Sequence, residues 1–394
     1  MRSIFILLFL TCLAGAFESR SWTDVQGRKI DATLVRADSQ SVILKLKDGR
    51  EVPYPLAKLS EADGKYVDGV RDQLKGDLGK EAPKKAGDAG PDFDSPWPDS
   101  IRFAEDPEII TVEEDADKKQ FIYESANYRY VCDVRLSKSV VKGFAVMFEA
   151  TYLYCRGLPL GLDGGERTDG KLQILLFENV EDYVKAGGPQ GTAGVFITGR
   201  NVVIVPLTSL GVQKVGSGYM LDRDKSSKTL PHELTHQLTP ETYFARGSMG
   251  WFTEGLAEYV GNTPYRGGIY TVRGNQKTLV EYATAYGKKD TGGRALGTEI
   301  SLPALKTFML QSYQSFQESP QLSYGSGLLI TIYFLHMDGE GDGKRIKAFL
   351  KALREGKESE KALEVLLDGR TFEQLETELV KAWSRKGVDF TFGK

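Results

Sequence analysis

The chain has 394 residues, 51 of them basic and 54 acidic, with a formal net charge of -3 at pH 7. This near balance, and the lack of a basic block interleaved with aromatic residues, exclude nucleic acid and anionic membranes as expected partners. The length predicts two domains, or one large and one small domain, and the composition is ordinary for a globular protein.

The first residues, MRSIFILLFLTCLAGAFES, have the order of a secretory signal peptide, with one arginine, an apolar run and then small residues up to Ala16. We predict that residues 1–16 are removed. The run is shorter than the roughly twenty apolar residues of a membrane anchor, and no later segment is apolar for long enough to span a bilayer. A lipid anchor on Cys12 is disfavoured because the residues before it are not small. The mature protein is therefore predicted to be exported to the periplasm or the extracellular space.

Cleavage would leave two cysteines, Cys132 and Cys155. An even number is compatible with one disulfide in an oxidising compartment. Two free buried thiols are also compatible with the sequence, and both alternatives stay open.

Residues 20–72 are predicted to form a small module of short strands with tight turns. The pattern gives strands over 29–35, 42–46 and 51–54, a turn at Asp48-Gly49 and a brief helix capped by Ser60. Short strands in so few residues indicate a small β-barrel. The module resembles the SH3-like Sla homology module of secreted bacterial proteins, through Arg20-Ser21-Trp22-Thr23, the Asp48-Gly49 turn and Leu59-Ser60-Glu61-Ala62-Asp63. The resemblance implies a domain that binds or tethers an unknown ligand; a passive spacer is the alternative.

A linker is predicted over residues 73–100. This stretch is rich in Lys, Asp, Gly, Pro and Ala, and it has almost no apolar residue before Phe93. Such a composition cannot bury enough apolar surface to order the chain.

Residues 101–394 are predicted to form the larger domain, with strands first and helices afterwards. The expected elements are strands at FIYES, YRYVCDV and KLQILLF, a helix over about 137–154, and a hairpin at AGVFITGRNVVIVPL that turns at 198–201. Beyond residue 226 the pattern is almost entirely helical, with tail helices at about 343–355, 359–367 and 371–385. The last of these opens with a Thr371-x-x-Gln374 capping box. This order predicts an α+β fold.

The stretch SSKTLPHELTHQLTP holds two of the three histidines of the chain. On a helix over 226–238, begun near Ser226 or Ser227, three leucines share one face and His232 and His236 share another. Glu233 lies close to any ion that the two histidines bind. This is the arrangement of HExxH zinc hydrolases. The pentapeptide alone is a modest signal, because it occurs by chance in roughly one chain of this length in a hundred.

A catalytic zinc also needs a third protein ligand and one position that is open to water. The stretch GWFTEGLAEYV, residues 250–260, provides a second helix with one buried face and with Glu254 and Glu258 on another. We expect Glu254 to be the third ligand and Glu258 to accept the free N–H of a ligand imidazole, that of His232. The alternative for each glutamate is a solvated charge on an amphipathic helix.

His-Glu-x-x-His followed by the W-x-x-E-G-x-A-x-Y helix resembles the gluzincin metallopeptidases, the group of thermolysin and the zinc aminopeptidases, and most of all the bacterial peptidase MA-like family. QILLFENVEDYVKAGG, the GVF hairpin and SYGSGLLITIYFLH follow in the same order, so the resemblance covers most of residues 100–394. It implies a zincin-like domain that hydrolyses peptide or protein substrates with one zinc ion. His232, His236 and Glu254 would bind the metal, and Glu233 would be the general base.

Zinc lowers the pKa of a bound water to about 7, and the developing negative charge on the substrate carbonyl needs a further hydrogen-bond donor. Related gluzincins provide that donor from a downstream helix, where the candidate is Tyr324. Tyr333 and His336 share that predicted helix, and His336 is interpreted as a core or interface histidine. The strand over 194–197 is a candidate for pairing with an extended peptide; ordinary sheet packing is the alternative.

Two hypotheses of different classes follow. The first is an exported zinc metallopeptidase with an N-terminal SH3-like module. The second is an exported binding protein that keeps the gluzincin-like fold without turnover. A purely structural zinc is disfavoured, because such sites close with four protein ligands and neither cysteine lies near the histidines in sequence.

Overall fold

The computed structural model describes residues 19–37, 41–48, 50–76, 91–103, 106–164, 167–222, 225, 229–247, 249–288 and 293–393. The predicted signal peptide lies outside these residues, as do Gly49 and the two expected cap residues Ser226 and Ser227. The chain divides into two compact units, Met1–Ala86 and Gly87–Lys394.

The first unit contains four strands and one helix: β1 (Arg20–Thr23), β2 (Lys29–Ala37), β3 (Ser41–Leu46), β4 (Glu51–Pro55) and α1 (Glu61–Gly76). The strands pair antiparallel in chain order. Alternating apolar residues of these strands, with Trp22 and Val67, form a separate small core. Ser60 Oγ accepts the Asp63 N–H at 3.2 Å, so the predicted helix begins where expected and runs longer than expected.

The predicted linker is too long at both ends. Helix α1 continues to Gly76, and Phe93 and Trp97 are only 7% and 6% exposed. Trp97 Nε1 donates to the carbonyl oxygen of Asp342 at 2.7 Å, so this segment packs against the C-terminal part of the larger unit. Phe93 and Trp97 are buried by contacts with residues far away in sequence, and the composition of the segment itself cannot predict such contacts. Residues 77–90 lie outside the described residues.

The larger unit combines short strands with eleven helices among the residues that the structure describes. The strands are β5 (Ser100–Arg102), β6 (Ile110–Asp115), β7 (Gln120–Glu124), β8 (Tyr128–Cys132), β9 (Leu172–Phe177), β10 (Val195–Ile197), β11 (Val202–Pro206), β12 (Val212–Val215), β13 (Gly218–Leu221), β14 (Tyr265–Arg266), β15 (Ile269–Thr271), β16 (Glu299–Leu302) and β17 (Asp389–Phe392). The helices are α2 (Lys138–Gly157), α3 (Val180–Lys185), α4 (Leu230–Leu238), α5 (Gly250–Asn262), α6 (Gln276–Thr284), α7 (Leu305–Leu310), α8 (Tyr313–Gln317), α9 (Pro320–His336), α10 (Lys344–Arg354), α11 (Ser359–Leu367) and α12 (Phe372–Ser384). No described helix has the length and apolar character that crossing a bilayer requires.

A six-stranded mixed sheet organises the first half of this unit. Its order is β10-β11-β9-β8-β7-β6. Strand β9 is parallel to both of its neighbours, β11 and β8. The pairs β10-β11, β8-β7 and β7-β6 are antiparallel. Strand β10 therefore lies at one edge. The sheet followed by helices confirms the α+β class.

Two parts of the prediction for the second half differ from the structure. Strand β15 pairs with β14 on one side and with β5 on the other, and β16 pairs in parallel with β17, so the region after residue 226 is not almost entirely helical. These strands have two to four residues each, too few to show a period of two, and several of their partners are distant in sequence. The predicted capping box is confirmed, since Thr371 and Gln374 exchange both hydrogen bonds at the start of α12.

The two thiols are not joined. Cys132 on β8 and Cys155 on α2 are both buried and free, which decides between the two alternatives left by the sequence. Burial raises the pKa of each thiol to about 12, so both remain protonated at neutral pH.

Helices α5 and α9 cross at very close range. A Cβ atom at Gly255 would lie 2.4 Å from the carbonyl oxygen of Gly327, and one at Gly327 would lie 2.9 Å from that of Trp251. Only glycine at both positions lets the backbones approach this far. The crossing fixes the glutamates of α5 relative to the start of α9, where Tyr324 lies.

Candidate metal centre

Helix α4 carries the two histidines of the pentapeptide. Pro231 stands in its first turn, where a missing N–H costs nothing. Leu230, Leu234 and Leu238 are fully buried at intervals of one turn, which turns the opposite side with His232 and His236 toward a cavity.

Helix α5 provides the glutamates. Its predicted apolar face is buried, and so are Glu254 and Glu258, which are 3% and 2% exposed. The alternative of a solvated charge is therefore wrong for both residues. A carboxylate at this depth must have charged or hydrogen-bonding partners, because an unpaired buried charge is costly.

Three side chains converge between these helices. His232 Nε2 lies 3.1 Å from Glu254 Oε2 and 3.1 Å from His236 Nε2, and His236 Nε2 lies 3.2 Å from the same glutamate oxygen. This group of two histidines and one glutamate could hold a metal ion. The third member comes from outside the pentapeptide, on the helix that the sequence analysis selected.

The donor set fits a cation. Two imidazole nitrogens at 3.1 Å tolerate each other only with a proton or a cation between them. Burial lowers the pKa of His232, but hydrogen bonds and charges from Glu254 and Glu258 outweigh it and raise the pKa to about 10. Burial likewise raises the pKa of Glu254, yet His236 and His232 hold it well below its ordinary value. The group attracts positive charge, and imidazole nitrogen with carboxylate oxygen is a ligand set that zinc accepts.

Glu258 orients the first histidine. Its Oε1 lies 3.1 Å from His232 Nδ1, the contact that fixes the ring and its tautomer. Arg294 donates hydrogen bonds to both oxygens of the same carboxylate, with Nη2 at 2.5 Å from Oε1 and Nε at 3.3 Å from Oε2. Burial raises the pKa of Glu258, but His232 and Arg294 outweigh it and lower the pKa to about 2. Glu258 thus remains ionised at all moderate pH values.

The second histidine has no such partner. His236 Nδ1 is buried and makes no hydrogen bond within the part of the chain that the structure describes. Its ring is instead held by aromatic neighbours, Phe196 and Phe244, with centroids at 6.5 and 6.2 Å. The two histidines are therefore oriented by different means.

Glu233 lies in the same cavity as the three converging side chains and is only partly buried. Its Oε2 accepts the backbone N–H of Phe196 at 3.0 Å. Phe196 is the middle residue of edge strand β10, so the glutamate is tied to the edge of the sheet. The cavity measures about 1530 Å³ and extends from this edge to the segment between α10 and α11.

Tyr324 also reaches the centre. Its ring is nearly parallel to that of His232, with centroids 6.1 Å apart and an interplanar angle of 16°. The guanidinium carbon of Arg294 lies 4.5 Å from the centroid of the Tyr324 ring, and Gln317 Nε2 donates to the Tyr324 hydroxyl at 2.8 Å. Burial and the charge of Glu254 raise the pKa of Tyr324, so it is a protonated donor at neutral pH.

Three side chains that form hydrogen bonds at the centre were missed by the sequence analysis: Arg294, Tyr313 and Gln317. Tyr313 OH donates to Glu254 Oε1 at 2.7 Å, and Gln317 Nε2 donates to Tyr313 OH at 2.7 Å. Arg294 stands in an irregular segment, and the other two belong to α8, which has only five residues. Neither context has a periodic pattern that would have singled these residues out.

Tyr333 and His336, on the same helix α9 as Tyr324, lie away from the metal group. His336 Nε2 lies 2.9 Å from Tyr259 OH, and its ring packs against Trp97 at the border of a separate cavity of about 820 Å³. The hydroxyl of Tyr333 faces Asp338 and Glu378 at 3.4 and 3.5 Å. His336 is thus a packing histidine, as interpreted from the sequence, and neither residue belongs to the metal group.

Burial, and to a lesser extent Arg273, lowers the pKa of His336 to about 4 from an ordinary value of 6.5. The unfolded chain therefore takes up a proton near pH 6.5, and the folded protein only near pH 4. The stability from neutral His336 is present above pH 6.5 and is lost as the pH falls toward 4. We expect chelator-treated wild-type protein to lose about 3 kcal/mol more than His336→Gln between pH 7 and pH 4, measured by urea unfolding. Parallel losses in the two proteins would contradict this.

No protein-family model matches the chain, and no curated protein sequence matches it either.

Proposed function

We propose that the protein is an exported zinc-dependent metallopeptidase of the gluzincin type, with a zincin-like larger domain. The observation that carries this proposal is the convergence of His232 Nε2, His236 Nε2 and Glu254 Oε2 within about 3.2 Å of one another, beside Glu233. These three atoms would hold the ion and leave a side of it toward the cavity.

When bound, zinc supplies the Lewis acidity that activates a water molecule and polarises a carbonyl group. Glu233 takes the proton of the attacking water and delivers it to the amine nitrogen that leaves. The N–H of Phe196 supports this role, because its 3.0 Å hydrogen bond to Oε2 orients the carboxylate without neutralising it. Glu258 and Arg294 keep the ring of His232 in place throughout.

Tyr324 is the donor for the carbonyl oxygen of the substrate. The carboxylate of Glu254 can only accept, so the single hydroxyl proton of Tyr313 points to Glu254, and Gln317 must turn its amide N–H groups to both tyrosines. Tyr324 therefore accepts from Gln317, and its own hydroxyl proton can be donated to another acceptor. A donor beside the metal group stabilises the negative charge that develops on the oxygen.

Strand β10 is suited to bind the backbone of an extended substrate. It has β11 on one side only and lies at the wall of the cavity that contains Glu233 and both histidines. The N–H of Phe196 is taken by Glu233, so a peptide that adds to this edge as a further strand would bond to the other outward-facing backbone groups of β10 and would pass the metal group. The size of the cavity favours a peptide or protein substrate over a small molecule.

The N-terminal unit is proposed to be SH3-like, with a binding or tethering role. Its four sequential antiparallel strands and the core around Trp22 support this assignment. Export is proposed on the order of residues 1–16 alone.

The test is metal content together with hydrolysis. We expect purified full-length protein to contain one zinc per chain, to cleave members of a broad peptide library, and to lose cleavage with chelator and regain it with added zinc. Zinc bound at one per chain without cleavage of any peptide would overturn the peptidase proposal and favour the binding-protein hypothesis. Absence of zinc uptake would overturn the site itself.

A further inference from the structure

Glu254 presents two different oxygens to its surroundings. Oε2 faces both histidine Nε2 atoms, at 3.1 and 3.2 Å, whereas Oε1 accepts the hydroxyl proton of Tyr313 at 2.7 Å. A carboxylate with both oxygens free can bind a metal through one of them or through both. In this protein, one oxygen is already engaged by the chain itself.

The bond between Tyr313 and Glu254 is of the strong kind. An O–H group that donates to a carboxylate at about 2.7 Å is charge-assisted and roughly twice as strong as a bond between neutral groups. Glu254 is 3% exposed, so bulk water does not compete at its side of the contact. The hydrogen bond can therefore restrict the rotation of the Glu254 carboxylate.

Tyr313 is itself held from two sides. Gln317, one turn later on α8, donates to its hydroxyl oxygen at 2.7 Å, and the ring of Phe316 lies nearly parallel to it at an angle of 10°. Helix α8 begins at a cap in which Ser312 Oγ accepts the N–H of Ser315 at 3.1 Å. The hydroxyl of Tyr313 thus has hydrogen bonds to both Glu254 and Gln317, although the residue as a whole is 41% exposed.

We propose that Tyr313 is a positioning residue that reserves Oε1 of Glu254, so that the carboxylate offers only Oε2 to a metal bound with His232 and His236. This inference rests on the zinc site of the proposed function. Its consequence is a site with three ligand atoms from the protein and room for water and substrate. Without the hydrogen bond from the Tyr313 hydroxyl, Oε1 would be free to bind the metal as well and to block the position meant for water or substrate.

The test compares two tyrosines that share Gln317. Tyr313→Phe removes the hydroxyl that touches Glu254, and Tyr324→Phe makes the same chemical change on the other side of the amide. We expect zinc affinity, measured by competition with a chromophoric chelator, to fall roughly 10- to 100-fold in Tyr313→Phe, as for other partners of metal ligands. The affinity of Tyr324→Phe should stay within about threefold of wild type by the same reasoning.

Cobalt provides a readout that a loss of packing alone would not change. We expect the visible absorption of cobalt-substituted Tyr313→Phe to weaken toward that of a higher coordination number, and that of Tyr324→Phe to match wild type. Gln317→Met, which leaves the Tyr313 hydroxyl without its amide donor, should shift zinc affinity in the same direction as Tyr313→Phe. It provides the second variant if Tyr313→Phe does not fold.

Wild-type zinc affinity and cobalt spectrum in both Tyr313→Phe and Gln317→Met would overturn the inference, while zinc at one per chain in wild type would leave the proposed peptidase site intact. A wild-type protein that takes up no zinc would overturn both. An equal loss of affinity in Tyr324→Phe would also overturn the assignment to Tyr313.

Discussion

Glu233→Gln is expected to abolish peptide hydrolysis and to leave the zinc content at one per chain. Glutamine has nearly the same shape, and its amide oxygen can still accept the N–H of Phe196, so the cavity wall should keep its geometry. The amide cannot take a proton from water, and general base catalysis contributes roughly 10²- to 10⁴-fold to rate. We expect kcat to fall by about that factor.

The measurement is kcat and zinc content of the variant on a peptide that the wild-type protein cleaves. Glu281→Gln, at an exposed position on α6, makes the same change away from the cavity and should keep wild-type kcat. Undiminished hydrolysis by Glu233→Gln would refute its role as the base. Loss of zinc in that variant would show instead that Glu233 supports the metal.

His236→Ala is expected to remove zinc from the purified protein. Two of the three converging atoms would remain, His232 Nε2 and Glu254 Oε2, and two protein ligands are too few for a zinc site. Because loss of an outer partner of a ligand already costs roughly 10- to 100-fold in affinity, loss of the ligand itself should cost about 100-fold or more. Hydrolysis should disappear with the metal.

Zinc per chain after dialysis is the readout, and His336→Ala is the matched control. It removes the third histidine of the chain, which packs on Trp97 and Tyr259 outside the metal group, and it should retain stoichiometric zinc. Full zinc retention in His236→Ala, with the control behaving alike, would contradict the assignment of the ligands.

Zinc binding to the centre should release protons. Burial lowers the pKa of His232, but Glu254 and Glu258 outweigh it and raise the pKa to about 10. Zinc needs the neutral imidazole as its ligand, so uptake near pH 7 must expel that proton. The same negative surroundings that raise the pKa also attract the ion.

Local spacing made half of the centre predictable. Residues four apart on a helix share a face, so the pairs His232 with His236 and Glu254 with Glu258 were each brought together by sequence position alone. The same rule predicted the buried leucines of α4 and the buried aromatic residues of α5, and the capping box of α12 follows from spacing as well.

Other contacts depend on chain segments that meet only in the folded protein. Arg294 reaches Glu258 from an irregular segment, and Phe196 reaches Glu233 from the edge of the sheet. Tyr313 and Gln317 come from a helix of one turn. No periodic sequence pattern identifies such residues, because their contacts depend on how distant segments of the backbone pack and not on their neighbours in sequence.

The sequence by itself determined the class of the fold, the two helices of the centre and the identity of the converging side chains. The tertiary structure decided that Glu254 and Glu258 are buried, that Cys132 and Cys155 stay apart, and that Phe93 and Trp97 belong to the larger unit. It also decided that the Tyr313 hydroxyl meets Glu254. The reason is physical: helical spacing is fixed within one turn of the chain, whereas burial and hydrogen bonding between distant segments arise only when helices and sheet pack together.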